Sequence, residues 1–148
     1  MVARETILAA LFALVSTLPG LVTTSRRPRY WSDVPREEQP ALFMGAGDQD
    51  PKNDSSGLPV SLTLKGNLYL YVQSSDETVP PSMVLNGFLD QLDALLAPPF
   101  PGTPWPQGFQ SLGGLVKHSW ISGPITTSGD LLGDQGIAIV PFEILANA

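Results

Sequence analysis

Few residues in this chain could do chemistry, and their spacing argues against it. Asp48, Asp50 and Asp54 fall in DQDPKNDSS, a stretch dense enough in carboxylates to suggest a calcium loop. An EF-hand loop needs oxygen ligands at fixed alternate positions, a central glycine and a closing glutamate. Here Pro51 and Lys52 intrude and no glutamate follows. The stretch reads instead as a mobile acidic loop joining two long strands of a hairpin. Asp90 and Asp93 lie one helical turn apart, but no histidine or third carboxylate stands at ligand spacing, so they read as a solvated helix face. His118 is the only histidine, and the sequence places no nucleophile or carboxylate beside it; a packed or edge position is expected. The absence of cysteine excludes disulfides, zinc–thiolate sites and thiol nucleophiles. The expectation is a protein with no catalytic residue, no metal and no cofactor, whose function lies in its surfaces.

The element that organises those surfaces is VSLTLKGNLYLYVQ, Val60 to Gln73. Val60, Leu62, Leu64, Leu68, Leu70 and Val72 occupy even positions and polar or aromatic residues the odd ones, which is the period of a strand. Gly66 interrupts the apolar series and marks a bulge or a close backbone approach. One face must meet a core. The other, with Lys65, Tyr69 and Tyr71, is richer in aromatics than a solvent face requires and is expected to be covered by a partner.

Composition points the same way. Of 148 residues only 15% are charged, against about a quarter in ordinary domains, so much of the surface is expected to be occupied by something other than water. The net charge of −6 disfavours a nucleic-acid binder, which needs clustered cations, and suits a conduit through which DNA slides without sticking. Arg26, Arg27 and Arg29 with Tyr30 and Trp31 form a dense basic-aromatic patch, of types that dominate protein interfaces. The apolar run ILAALFALVSTL follows Arg4 and Glu5; it is too short to span a bilayer and lacks a clean small-x-small cleavage site, so a core helix is expected there and no membrane contact.

Taken in order, the chain predicts a helix over 2–18, stopped by Pro19 and Gly20, then strands at 21–25, 41–44 and 60–73. A helix capped by Ser82 runs to about Leu96. Residues 97–111 hold five prolines and three aromatics and must wander extended, docking on a neighbour or covering their own sheet edge. Strands follow at 115–121 and 137–145, where Pro141 requires an amide outside the ladder. Strands arriving in adjacent pairs are usually antiparallel neighbours. The prediction is one α+β domain over 1–148: two layers, a mostly antiparallel sheet of four to five strands, and two helices on one face. One helix layer cannot cover both faces, so an oligomer is expected.

Several stretches together resemble the tail terminator, or tail-completion, proteins of long-tailed bacteriophages: RETILAALFALVSTLPGL, TTSRRPRYWSDVPREEQPALFM, LYLYV, LNGFLDQLDALL, LGGLVKHSWISGPI and GDQGIAIVPFEIL. The resemblance covers most of the chain and rests on order and texture. It implies a hexameric ring in the virion, assembled in the host cytoplasm, that caps the head-proximal end of the tail tube. It also implies a tail tube protein and a head–tail connector protein as partners, and DNA passing through the ring without specific binding. On that reading Arg26, Arg27, Arg29, Tyr30, Trp31, Tyr69 and Tyr71 are interface residues, and Asp48, Asp50 and Asp54 are candidates for a lumen-facing acidic loop. A connector or stopper ring at the neck is the alternative within the same architecture. A soluble enzyme, or a monomeric module that augments its long strand with a partner's strand, represents the other classes.

Overall fold

The computed structural model describes residues 2–130 and 133–147. Two helices lie on one face of a six-stranded mixed, mostly antiparallel sheet, so the predicted α+β class holds. The strands are β1 (Thr23–Ser25), β2 (Ala41–Asn53), β3 (Pro59–Gln73), β4 (His118–Ile121), β5 (Thr126–Ser128) and β6 (Gln135–Asn147). Their spatial order is β1-β2-β3-β6-β4, with β5 also pairing β6. All pairings are antiparallel except β1 with β2.

The alternation read from the sequence is the one that builds the core. Leu62, Leu64, Leu68, Leu70 and Val72 of β3, and Ala138, Val140, Phe142, Ile144 and Ala146 of β6, are buried against the helices. The intervening positions of both strands are mostly half-buried and form the opposite face. The first helix, α1 (Arg4–Val15), contributes Ile7, Leu8, Leu11 and Val15. It is shorter than the predicted 2–18. Beyond it the Thr17 hydroxyl donates to the Leu14 carbonyl at 2.6 Å, a side-chain bond of the kind that competes with helix continuation. Gly20 then turns the chain at a φ of +89°.

The second helix, α2 (Pro81–Leu96), buries Leu85, Phe88, Leu92 and Leu96. Pro81 opens it, where a missing N–H costs nothing. Ser82 is not its cap. Its amide and hydroxyl instead donate to the Asp130 carboxylate at 3.3 and 3.1 Å, so a distant carboxylate meets the positive end of the helix.

The largest departure from expectation is at 48–56. Asp48 to Asn53 belong to β2, which runs 13 residues rather than four, and only the tip of the hairpin is a turn. Register explains why the alternation there is unreadable. Between Ala46 and Gln49 β2 carries an extra residue relative to β3. Before this bulge Leu42 and Met44 face the helices; after it Gln49 and Pro51 do, paired with Leu64 and Leu62. Gly66, directly opposite, has the Phe142 ring packed where a side chain would be. Pro141 sits where the outer partner of β6 changes from β4 to β5. Its carbonyl accepts the Ser122 amide on that side at 3.0 Å, so its missing N–H falls in the gap between the two short strands.

Candidate assembly interface

The sheet face away from the helices is covered unevenly. Where β2 begins, level with Tyr71 of β3 and Ile137 of β6, the segment 26–40 folds back over it. Val34, Ala41, Phe43 and Tyr71 form a second small core there. The Phe43 and Tyr71 rings lie 5.5 Å apart, and the Arg29 guanidinium stands 5.3 Å from the centre of the Phe43 ring. The Tyr71 hydroxyl donates to the Arg29 carbonyl at 2.6 Å. Burial raises the Tyr71 pKa, with the neighbouring Tyr69 adding to it. Tyr71 is only 6% exposed in the single chain, so the expectation that assembly would bury it is corrected: its own chain already does. Tyr69 remains half-buried.

The basic-aromatic patch divides in the same way. Arg26 pairs with Glu5, and Arg29 with Glu38 at 2.8 Å, so both guanidiniums are engaged within the chain. Arg27 makes no ion pair among the described residues. Tyr30 is 79% and Trp31 38% exposed on a short 3₁₀ turn, Trp31–Asp33. The outward-facing part of the patch is therefore Arg27, Tyr30 and Trp31.

Asp48 and Asp50 are exposed along β2. Asp54 builds the hairpin turn: its carboxylate accepts from the Ser56 hydroxyl at 2.6 Å, the Ser56 amide at 2.8 Å and the Leu58 amide at 3.0 Å. These bonds, the Ser56 hydroxyl foremost, hold its carboxyl below the usual range. The three aspartates thus do not form one mobile loop. Among the described residues no group of three or more potential ligands comes together to hold a metal, and no helix is long and apolar enough to cross a membrane.

At the opposite edge of the sheet lies a surface that the sequence reading did not assemble. Trp105, Phe109, Lys117, His118, Trp120 and Leu145 line an open, mainly apolar groove of about 850 Å³. His118 stacks on Trp120 at 5.3 Å and meets Phe109 edge-on at 5.6 Å. Gln110, buried in the proline-rich segment, fixes this arrangement. Its side-chain amide donates to the carbonyls of Leu95 and Ala97 at the end of α2, at 3.2 and 3.3 Å, and its carbonyl oxygen accepts the Leu112 amide. Its backbone amide donates to His118 Nδ1 at 3.1 Å, and its backbone carbonyl accepts the Ser119 amide at 2.9 Å. Of the two placements left open for residues 97–111, they cover their own sheet edge. The available signal was Trp105 and Phe109 among prolines; what joins them to His118 is Gln110.

The geometry makes His118 a packed residue with a defined tautomer, since an Nδ1 that accepts leaves the neutral ring's proton on Nε2. Burial lowers its pKa. The native state therefore favours the neutral ring. The stabilisation is complete above the ordinary value of 6.5 and is lost as pH falls from there through the lowered native value, because the unfolded chain binds the proton first. His118 is the only histidine, so the urea midpoint should fall between pH 7.5 and 5.5 in the wild type and much less in His118→Gln.

Comparison with known proteins bears on the fold alone. No family model matches the chain, and no curated protein does. Among solved structures, a chain 14% identical matches with a TM-score of 0.53 over 100% of this chain and 99% of that one. At that identity the likeness concerns architecture.

The flanking strands also limit what β3 can do. It is paired along nearly its whole length by β2 on one side and β6 on the other, so it has no edge to offer a partner strand. Augmentation of the long strand is corrected on that ground.

Proposed function

We propose that this protein is a structural component of a phage virion: a ring at the head-proximal end of a long tail that ends tail-tube polymerisation and presents the surface to which the head joins. The observation that carries this reading is the incompletely covered sheet face. Both helices lie on the other side, and segment 26–40 clothes only one end of the strands, over Phe43 of β2, Tyr71 of β3 and Ile137 of β6. What remains is a half-buried field of Thr63, Lys65 and Asn67 of β3 with Ile139, Pro141 and Leu145 of β6, running into the aromatic groove. Such a surface is suited to burial by copies of the same chain. The resemblance in order and texture supplies the biological setting, with a tail tube protein on one axial face and a connector protein on the other.

Termination in such a ring is geometric: one axial face matches the last ring of the tube, and the other cannot accept a further one. The exposed carboxylates of Asp48 and Asp50 and the net charge of −6 favour a bore that does not retain DNA. Imaging particles made without this protein tests the assignment. Overlong or headless tails are expected, whereas full heads that leak DNA would assign it instead to the neck as a stopper.

A further inference from the structure

A ring built head to tail needs two different patches on opposite flanks of each subunit, one fitting the other. This fold holds two such patches apart on different segments. Arg27 follows β1, and Tyr30 and Trp31 follow Arg29, which packs on Phe43 of β2 and Tyr71 of β3, whereas the aromatic groove lies at the β4 edge. We infer that these are the two halves of one interface: the Arg27–Tyr30–Trp31 knob of one copy seats in the Trp105–Phe109–Trp120 groove of the next. The inference rests on the ring reading above and specifies its subunit contact.

The chemistry of the two patches is matched. The knob carries a guanidinium that makes no ion pair among the described residues, with two exposed rings beside it, and the groove is concave and walled by aromatic faces, which attract a cation as well as other rings. Charge is matched as well. Asp33 closes the knob and Lys117 lines the groove, and neither makes an ion pair within the chain among the described residues. Glu143, opposite Trp120 in the register of β4 with β6, is already paired with Lys65 at 3.5 Å, so the seat for Arg27 is the aromatic faces themselves. Because the two patches differ, a contact made once between two copies leaves a free groove on one and a free knob on the other. It propagates until the rotation closes.

The test uses two variants of the full chain, a knob variant (Arg27→Ala with Trp31→Ala) and a groove variant (Phe109→Ala with Lys117→Ala), examined by native mass spectrometry. Each alone should associate at least about thirtyfold more weakly than the wild type and remain single. Mixed, they retain one intact groove and one intact knob, and should form a one-to-one dimer that does not grow. A ring from either variant alone overturns the inference and leaves the ring reading standing. So does a mixture that stays single while both variants keep the wild-type unfolding midpoint. As a second measurement, Asp33→Lys and Lys117→Glu should each weaken assembly and together in one chain restore it; absence of restoration also overturns the inference. A wild-type chain that never assembles defeats the ring reading itself.

Discussion

Replacing Gly66 with alanine is expected to remove a large share of the folding stability. Gly66 sits mid-way along the central strand, on the face that meets the helices, between the β2 bulge and the Phe142 ring. A methyl group there would lie 2.5 and 2.9 Å from Phe142 Cζ and Cε1, and closer still to the Gly45 carbonyl oxygen. Phe142 is 1% exposed, and the Gly45 carbonyl belongs to the adjoining strand. Overpacking a well-filled core usually costs about 1–3 kcal/mol, and a clash with backbone as well as ring puts this substitution at or above the upper end. Domains of this size are stable by roughly 5–15 kcal/mol, so such a loss is a large share of the total. Urea unfolding followed by circular dichroism checks it. A midpoint within error of the wild type would mean that Phe142 does not occupy the space over Gly66. Phe142→Leu in the Gly66→Ala background should recover part of the loss, because it relieves the ring contact but not the carbonyl one.

The second large effect is expected at Gln110. Its buried side-chain amide is held by two carbonyls at the end of α2 and one amide of the following turn, while its backbone holds His118 and Ser119. Gln110→Ala removes the side-chain bonds and leaves the buried Leu112 amide and the half-buried Leu95 carbonyl without this partner, for a cost of about 1–3 kcal/mol. The groove should loosen together with the domain, since Phe109 and His118 are positioned from the same residue. Tryptophan fluorescence reads both changes: a red shift from Trp105 and Trp120 in native buffer, and a lower urea midpoint. Gln110→Glu keeps the acceptor and loses the donors, so it should fall short of restoring either.

These two residues mark the limits of what the sequence made legible. The even–odd pattern of β3 and the apolar stripes of the two helices are local periodicities, and they placed the core, the long strand and the two-layer fold. Gly66 was recognisable as a close-approach site because an apolar series lapses at one position. Phe142, which fills the gap, is 76 residues away in sequence and can be assigned only through the β3–β6 register. The bulge at 46–49 is invisible for a related reason. Gly47 and Asp48 look like the start of a loop, and the parity change that follows hides the alternation of Gln49 and Pro51. Tyr71 was placed on the correct face and given the wrong neighbour, because segment 26–40 covers it through one backbone carbonyl of Arg29 that no side-chain pattern announces. In the basic-aromatic patch composition could not separate Arg26 and Arg29, spent on Glu5 and Glu38, from the outward-facing Arg27. The groove depends on Gln110, an ordinary polar residue among prolines whose six bonds reach three separate parts of the fold.

The central claim is that a sheet clothed by helices on one face and only partly by its own chain on the other completes itself with further copies. Native mass spectrometry of the purified wild-type chain across a range of concentrations tests it most directly. The account predicts a dominant closed species at six times the single-chain mass. A chain that remains single at the highest concentration reached, with its native fold intact, would contradict it.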